Sequence, residues 1–594
     1  MTMKEPKKGA SFLLDTLTPE EIFTPEDLTD EQKMIAETAR SFIEKDVLPV
    51  LDEIEEHHRF DLTVSLLKKA GELGLLAGDI PEAYGGLGLD KITTMLVTEE
   101  FALSRSFALS FGAHVGIGTL PIVFFGNEDQ KKKYLPALAS GEKIAAYALT
   151  EPSSGSDALS AKTTARLNES GTHYILNGEK QWITNSGFAD VFVVYAKVDG
   201  DKFTAFIVDR DTPGVSTGPE EKKMGIKGSS TRTLILEEVP VPVEHVLGEV
   251  GRGHVVAFNI LNIGRFKLAA GAVGAAKRVI DISARYAKER KQFDRPIGDF
   301  ALIQAKLGEM AIRTYAAEGI TYRTAGLFDD MLRALGEKVN DGREVARGIA
   351  EYAIECSINK VFASEVLDYV VDEGVQIHGG YGYMSEYEVE KAYRDSRINR
   401  IFEGTNEINR LLVPGTLVKK AMRGELDLLG AANRLQQELL SLMPTTLSDE
   451  LFDAEMDMLD KAKKIFLMVA GLGVQKYGEK LEEEQEVLAG VADVVAHIFA
   501  METAILRAQK AVRSVGEDKA RGHIDLATAV VHTAFDKIEV LAKDMLAHME
   551  SGDLLRTQLS VLRKLTRREA IDIIALRRAI GKRQLQADGY TTSA

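Results

Sequence analysis

The sequence predicts an α+β protein in which helical blocks enclose one β domain. Residues 29–142 carry a helical hydrophobic period, residues from about 145 to 250 form short β-branched and aromatic runs, and the helical period returns from about 254. We therefore expect an N-terminal helical domain (1–143), a middle antiparallel β domain (144–252), a C-terminal four-helix bundle (253–424) and an extra C-terminal helical domain (425–594).

The first block opens on a capping box, Thr29-Asp30-Glu31-Gln32, and its amphipathic run is interrupted at Pro49. The glycine-rich stretch GELGLLAGDIPEAYGGLGLD (71–90) lies between predicted helices. It lacks the strand–turn–helix setting of a dinucleotide-binding motif, and no phosphate-loop lysine follows it. We interpret it as a tight structural loop.

The middle block contains the runs HYILNG, DVFVVYAKV, KFTAFIVDR and RTLILEEVPVP, separated by turn pairs such as Asn177-Gly178. No helical segment comes between these strands. Such an order predicts an antiparallel or mixed sheet and argues against a doubly wound one.

The later helical blocks are long, with short connections, which predicts a bundle. The end of the chain is unusual, because residues 553–586 contain nine Lys or Arg but three acidic residues. A basic amphipathic helix can lie on an anionic membrane or meet an acidic partner. Contact with acidic helices of the same chain, such as Lys480–Glu486, is the alternative.

Composition excludes several classes of function. The net charge of −17 argues against a general nucleic-acid-binding protein. Cys356 is the single cysteine, so no internal disulfide or Cys/His metal spacing exists, and we expect it to be a small buried hydrophobic residue. The longest apolar run, Ile465 to Val474, is too short for a bilayer. The N-terminus resembles neither a signal nor a transit peptide, and we expect a bacterial cytoplasmic protein.

A lone carboxylate stands out in RDSRINRIFEGTNEINR (394–410). Glu403 precedes Gly404-Thr405 between two helical stretches, where a glycine lets the backbone approach a ligand while the carboxylate points into a cavity. A solvated glutamate before a helix would show the same pattern. We expect most of the surrounding arginines to form structural ion pairs.

Four further segments carry groups that suit a ligand. YALTEPSSGSDALS (147–160) offers hydroxyls and backbone N–H groups for a phosphate, although a plain turn has the same composition. In KQWITNSGF, the only tryptophan, Trp182, precedes Thr184 by two residues, so an indole and a hydroxyl can cover a flat ring; a core tryptophan is the alternative. ERKQF (289–293) ends a helix, and VQIHGGYGY (375–383) contains glycines that permit close backbone approach.

These segments together resemble the acyl-CoA dehydrogenase family over roughly residues 30 to 420. ALTEPSSGSDALS, WITN, QIHGGYGYMSEYEVEKAYRD and RIFEGTNEI match family motifs in the right order. The resemblance implies a non-covalent FAD and a helical–β–helical architecture. It implies cofactor contacts at Tyr147, Leu149, Thr150, Ser156, Trp182, Ile183, Thr184, Gln376, Ile377, Gly379, Gly380, Thr405 and Glu407.

The resemblance also assigns the remaining site residues. Arg290, Gln292 and Phe293 would contact the FAD of a partner subunit, which implies a homodimer at least. The acyl-CoA thioester would lie against Ser156, Asn262, Gly264, Arg265 and Gly404.

Glu403 then becomes the expected catalytic base. In the family it removes the proton α to the thioester carbonyl while hydride leaves the β carbon for the flavin. The carbonyl oxygen is hydrogen-bonded by a ribityl hydroxyl and by the backbone N–H of the base as enolate character develops. Desolvation by the substrate would raise the basicity of the carboxylate.

Two features resemble the very-long-chain members of the family. Gly264 in LNIGRFKLAAG occupies the position where some members carry the base, and a glycine on the pocket wall leaves room for a long acyl chain. The C-terminal extension resembles that of dimeric, membrane-associated relatives. We therefore expect long-chain acyl-CoA oxidation in β-oxidation, with electrons passing to an electron-transfer flavoprotein. The alternatives are an oxygen-using oxidase, or a membrane-binding or assembly factor working through the basic C-terminal helices.

Overall fold

The computed structural model describes residues 6–439 and 447–593. Its N-terminal part is helical, and Thr29 and Gln32 cap α1 reciprocally as the capping box predicts. Pro49 lies in a 3₁₀ turn that separates α1 from α2. The helices are α1 Asp30–Phe42, α2 Leu51–His57, α3 Phe60–Glu72, α4 Lys91–Phe101, α5 Ser106–Gly112, α6 Leu120–Phe125 and α7 Glu128–Ser140.

The middle part is a sheet with the strand order β6-β7-β3-β2-β4-β5-β8, and β1 also pairs with β4. The predicted succession of short strands without an intervening α-helix is confirmed. The strands are β1 Ala145–Ala148, β2 Thr164–Leu167, β3 His173–Thr184, β4 Val191–Val198, β5 Lys202–Asp209, β6 Val215–Thr217, β7 Thr231–Pro242 and β8 Val246–Leu247.

This sheet is mixed and not wholly antiparallel. Both β1 and β2 run parallel to β4, whereas the pairs β2–β3, β3–β7 and β4–β5 are antiparallel. Strand spacing along the chain indicates hairpins between neighbours, but it carries no signal for pairing between strands far apart in sequence.

Because β1 and β2 both pair with β4 in parallel, the chain between them has to leave the sheet and return to it. Because β5 occupies the other edge of β4, β1 and β2 share one edge, β1 opposite residues 191–194 and β2 opposite residues 197–198. The chain between them, residues 149–163, forms a loop beside the sheet. This loop contains most of the segment predicted to bind a ligand.

The third part contains the predicted bundle, in which α11 packs against α8, α9 and α13, and α8 packs against α9. A two-residue hairpin loop joins β9 and β10 after α8. The elements are α8 Gly253–Glu289, β9 Lys291–Gln292, β10 Arg295–Pro296, α9 Ala301–Leu335, α10 Gly342–Glu351, α11 Ala353–His378, α12 Glu388–Ser396 and α13 Asn406–Met422.

The C-terminal extension is helical and packs on this bundle, with α16 against α9 and α13, and α19 against α8 and α9. Residues 440–446 of the stretch predicted to be helical lie outside the described residues. The helices are α14 Leu428–Leu439, α15 Asp453–Tyr477, α16 Gln485–Val515, α17 Arg521–Met549, α18 Gly552–Leu565 and α19 Ile573–Gln586.

Part of the C-terminal positive charge is paired within the chain. Arg577 contacts Glu309 at 2.9 Å, Arg583 pairs with Asp525, and Arg568 pairs with Asp536. These acids lie on α9 and α17. The basic helices therefore do contact acidic residues of the same chain, as the intramolecular alternative predicts. The pairs just named do not involve residues 480–486.

Three helices are long and apolar enough to cross a membrane by length and composition alone, namely Ser106–Phe125, Gly253–Glu289 and Gln485–Val515. Between 72% and 78% of each apolar window is buried inside the protein. Most of these apolar residues are therefore packed inside the protein.

Candidate active site

Glu403 lies in a sharp turn that enters α13. Its φ is 57° and that of Gly404 is 78°, so two consecutive residues are left-handed. The Thr405 hydroxyl caps α13 by accepting from the Ile408 amide at 3.2 Å. A left-handed glutamate is uncommon and costs conformational energy, so the surrounding structure must hold it in place.

Three side chains hold the carbonyl groups of this turn. Arg265 Nε donates to the Glu403 carbonyl at 3.1 Å, Lys360 Nζ donates to the Gly404 carbonyl at 2.7 Å, and Asn409 Nδ2 donates to the same carbonyl at 2.8 Å. The backbone N–H of Glu403 has no acceptor within the described parts of the chain. It is therefore free to donate to a ligand.

The carboxylate of Glu403 is packed against α8. A Cβ atom placed on Gly264 would lie 2.5 Å from Glu403 Oε2, so the carboxylate occupies the space beside this glycine. Oε2 is buried and has no hydrogen-bond partner among the described residues. Burial raises the pKa of Glu403 to about 7, although the charges of Arg265 and Lys360 act in the opposite direction.

The β domain contributes Tyr147 to the same place. Its ring packs edge-on against Tyr195 with the centroids 5.3 Å apart, and its buried hydroxyl has no partner among the described residues. Burial raises the pKa of Tyr147, with smaller contributions from Tyr195 and from the negative charge of Glu403. Strand β1 therefore delivers a neutral phenol beside the carboxylate.

The loop after β1 is fastened to the segment that carries Trp182. The Gln181 amide donates to the Thr150 carbonyl at 2.8 Å, and buried Lys180 donates to the Leu149 carbonyl at 3.2 Å and to Glu151 at 2.7 Å. Two predicted segments thirty residues apart thus meet at one place. Ser153 and Ser156 remain exposed in this loop.

Trp182 is not a core residue, because 60% of its surface is exposed. It has a φ of 58° within an irregularity of β3 between Lys180 and Ile183. Ile183 is buried and Thr184 is half-buried. An exposed indole beside an exposed hydroxyl-rich loop fits a flat ligand that carries phosphate.

The ERKQF and VQIHGGYGY segments also meet. The Arg290 guanidinium lies 5.3 Å from the centre of the Tyr381 ring. Phe293, at the tip of the β9–β10 hairpin, is 87% exposed. Cβ atoms on Gly379 and Gly380 would meet no atom within 4 Å, which leaves open space for close backbone approach.

Several of the predicted residues meet around the Glu403 carboxylate. Tyr147, Gly264, Arg265 and Gly404 surround Glu403, and Asn262 accepts from Arg265 at 3.0 Å. Arg290, Gln292 and Phe293 are exposed at the β9–β10 hairpin and the residue before it, and Arg290 lies against Tyr381. Gln376 and Glu407 are exposed, whereas Ile183 and Ile377 are buried, so either isoleucine can offer a ligand only its backbone.

Sequence reasoning missed four side chains that organise the site, Glu151, Lys180, Lys360 and Asn409. Lys360 had a detectable signal, because it interrupts the apolar face of the helical pattern around Cys356. The surrounding arginines do form structural pairs, Arg394 with Glu390, Arg400 with Asp368, and Arg410 with Glu365 and Asp493. Cys356 is buried as predicted.

Comparisons with known proteins identify the family of the chain. Family models described as acyl-CoA dehydrogenase N-terminal domain and middle domain match residues 29–142 and 146–239. Two models described as acyl-CoA dehydrogenase C-terminal domain match residues 251–417 and 461–564.

Similar proteins extend over nearly the whole chain. A probable acyl-CoA dehydrogenase of Bacillus subtilis is 62% identical over 98% of both chains. The human mitochondrial very long-chain specific acyl-CoA dehydrogenase is 35% identical, over 86% of this chain and 81% of its own length. A crystal structure of acyl-CoA dehydrogenase complexed with FAD from Bacillus anthracis is 60% identical, covers 98% of this chain and 100% of its own, and has a TM-score of 0.98.

Proposed function

The chain belongs to the acyl-CoA dehydrogenase family and is an FAD-dependent oxidoreductase, and from this premise we propose its substrate, mechanism and partners. The proposed reaction is the α,β-dehydrogenation of long-chain acyl-CoA thioesters to trans-2-enoyl-CoA. It would serve fatty-acid β-oxidation in the bacterial cytoplasm, with an electron-transfer flavoprotein as acceptor.

The observation that carries the mechanism is the carboxylate of Glu403. Removing a proton α to a thioester requires a base whose pKa is near the working pH. The pKa of Glu403 is raised to about 7 because the carboxylate is buried, and Oε2 has no hydrogen bond to protein within the described residues. We assign Glu403 as the base that takes this proton.

Two other groups assist this step. The free backbone N–H of Glu403 would donate to the thioester carbonyl and stabilise the negative charge that develops on its oxygen. Arg265, through the Glu403 carbonyl at 3.1 Å, keeps that turn in place. Bound FAD supplies the acceptor for the hydride from the β carbon.

The residues present fit FAD. Exposed Trp182 offers a ring face, the 149–156 loop offers hydroxyls and amides, and Gly379-Gly380 leave open backbone. We propose that these residues hold the cofactor, together with Tyr147, Leu149, Thr150, Ile183, Thr184, Gln376, Ile377, Thr405 and Glu407. Ser156, Asn262 and Gly404 would contribute to the thioester site.

Replacing Glu403 tests the mechanism directly. Glu403→Gln should retain bound FAD but lose anaerobic flavin bleaching by acyl-CoA by at least about a hundredfold, the usual contribution of a general base. Glu479→Gln, an exposed glutamate in the extension, should bleach like the wild type. Normal bleaching in Glu403→Gln would refute the assignment.

The proposed preference for long acyl chains rests on similarity to the human very long-chain specific enzyme. This similarity extends over 86% of the chain. The sequence alone predicts that Gly264 leaves room for a long acyl chain. The structure gives this argument less weight, because the Glu403 carboxylate occupies the space beside Gly264. Flavin reduction by a ladder of acyl-CoA lengths should be fastest with long chains. A maximum at about four to six carbons would overturn the preference.

A homodimer is proposed from the exposed hairpin. Phe293 and Tyr383 are large aromatic residues that stand out into solvent on neighbouring segments, a feature typical of interfaces. Arg290 and Gln292 would then reach the partner's FAD. Sedimentation velocity should give twice the chain mass, and Phe293→Ser should weaken both the dimer and FAD retention; a monomer that retains FAD would contradict this.

The electron acceptor separates the dehydrogenase from its oxidase alternative. Turnover with electron-transfer flavoprotein and little hydrogen peroxide in air would support the proposal. Stoichiometric peroxide with acyl-CoA and oxygen would favour the oxidase.

A second function is proposed for the C-terminal surface, namely peripheral contact with the inner face of the membrane. Leu554 on α18 and Ile574 on α19 are 66% and 60% exposed, and the basic residues Lys564, Arg567 and Arg578 of the same segment of the chain are exposed as well. The full chain should co-sediment with phosphatidylcholine vesicles that contain phosphatidylglycerol, and Ile574→Glu with Arg578→Glu should reduce binding. Equal binding by wild type and variant would remove this role.

A further inference from the structure

Lys360 is a buried cation close to the proposed base. It lies on α11, its side chain is fully buried, and within the described residues it forms no ion pair. Its Nζ donates to two neutral oxygens, the Gly404 carbonyl at 2.7 Å and Asn406 Oδ1 at 2.6 Å. A buried ammonium without a carboxylate contact is costly, so a compensating role is expected.

The two bonds of Lys360 span the catalytic turn. Gly404 is the second left-handed residue of that turn, and Asn406 is the first residue of α13. Asn406 in turn donates to Ser364 Oγ at 3.1 Å, one helical turn after Lys360 on α11. The turn and the start of α13 are thereby fixed to a single face of α11.

We propose that Lys360 is a positioning residue for the reaction, which holds the 403–406 turn by its two hydrogen bonds and tunes the basicity of Glu403 by its charge. This inference rests on the proposed role of Glu403 as the base. Lys360 itself contacts neither substrate nor cofactor in this proposal.

The charges around Glu403 support this role. Arg265 approaches from α8 and Lys360 from α11, and both lower the pKa of Glu403 against the larger effect of burial. The Tyr147 phenol faces it from β1. The groups that face Lys360 itself are Glu403, Arg265, Glu407 and Glu365.

When the Lys360 ammonium is removed, Arg265 remains to lower the pKa of Glu403 against the effect of burial. The pKa of Glu403 should then rise further, so that the base is protonated over a wider pH range. The pKa of Lys360 is itself lowered to about 8 by burial, so its charge is present at neutral pH and is lost in alkaline solution.

The test compares Lys360→Met, which loses both donor and charge, with Lys360→Gln, which keeps a donor. Anaerobic flavin reduction by acyl-CoA is measured on the holoenzymes from about pH 6 to 9, with Lys543→Met, an exposed lysine of α17, as the matched control. Lys360→Met should shift the apparent pKa of the reduction rate upward by about one unit and slow it about tenfold at pH 7. The acyl-CoA dissociation constant should change less than the rate.

Lys360→Gln should show the same shift but a higher limiting rate at alkaline pH than Lys360→Met, because its amide can still donate to Gly404. An unchanged apparent pKa in both variants, with a uniform loss of rate, would indicate only structural support and would overturn the proposal. If Lys360→Met fails to retain FAD, the pH profile of Lys360→Gln decides. Normal bleaching by Glu403→Gln would instead refute the proposed function, whatever the Lys360 variants do.

Discussion

The position of the Glu403 carboxylate depends on the absence of a side chain at Gly264. The carboxylate can approach α8 only because position 264 has no side chain, and a Cβ there would lie 2.5 Å from Oε2. The approach removes the carboxylate from water, and this burial is the largest influence on its pKa. A glycine on the helix is therefore part of what makes the base basic.

Gly264→Ala should displace the Glu403 carboxylate and slow flavin reduction by about tenfold or more at every acyl-chain length, since small displacements of a base are costly. Gly271→Ala on the same helix is the control, because a Cβ there meets no atom within 4 Å. It should keep full activity and gain up to about 1 kcal/mol in helix stability. Single-turnover rates and melting temperatures measure both; a loss confined to long chains in Gly264→Ala would show that Gly264 shapes the acyl pocket instead.

Motif order identifies Glu403 from the sequence, but it does not identify the residues that hold it. Arg265 lies 138 residues before Glu403, Lys360 lies 43 residues before it, and Asn409 lies 6 residues after it. Only the packing of α8, α11 and α13 brings these side chains to one turn. The residue type lysine also does not by itself show whether the side chain is buried or exposed. The break that Lys360 makes in an apolar helical face is visible in the sequence, but the periodicity does not show which distant residue such a side chain contacts.

At the scale of elements, the loop between β1 and β2 depends on a buried ion pair. Glu151 accepts from Lys180 at 2.7 Å and from the Thr163 amide at 3.0 Å, and both side chains of the ion pair are almost fully buried. These contacts close the base of the 149–163 loop. The hydroxyl-rich tip of that loop is thus carried on a rigid support.

Lys180→Met should leave the Glu151 carboxylate buried without its cation and cost roughly 3 kcal/mol of stability. The loosened loop should also release FAD more readily. Lys162→Met, which removes an exposed neighbour whose backbone amide alone contacts Glu151, is the control. FAD content after gel filtration and the melting temperature are the measurements, and a variant with full FAD content and unchanged melting would contradict this role of the ion pair.

The same elements show where sequence reasoning succeeds and where it stops. The capping box at Thr29 and the change of period near Ala145 coincide with the starts of α1 and β1, because both signals depend on neighbours in the chain. The parallel pairing of β1 with β4 and the partners of Arg577 and Arg583 depend on tertiary contacts. The sequence could therefore predict an acidic partner for the basic helices, but not that it lies on α9 and α17.

At the scale of the whole molecule, the first residues join the extension to the bundle. Buried Arg507 of α16 contacts Glu26 at 2.8 Å and Glu318 of α9 at 2.6 Å, and Phe12 packs on Phe499 with ring centres 4.6 Å apart. Fourteen residues earlier on α16, Asp493 contacts Arg410 of α13 at 2.8 Å. The extension is therefore connected to the helix that begins at the catalytic turn.

Acid stability depends on groups with opposite effects. Burial lowers the pKa of His114 to about 4 and of His497 to about 3, so acidification from about 6.5 removes stability, because the unfolded chain binds the protons first. Burial raises the pKa of Glu355 and Glu403 to about 7, and these groups act in the opposite sense over an overlapping range. A pH profile of the wild type alone cannot separate them.

The difference between two variants isolates one histidine. His114 accepts from the Ala145 amide at 3.0 Å and donates to the Leu138 carbonyl at 2.9 Å, so it joins the helical domain to β1 only while it is neutral. The melting-temperature advantage of the wild type over His114→Gln should be constant above about pH 7 and shrink as the pH falls from about 6.5 to 4, because glutamine does not titrate. His57→Gln, at an exposed position on α2, should show no such change. An advantage that is independent of pH would mean that His114 is as easily protonated in the folded protein as in the unfolded chain.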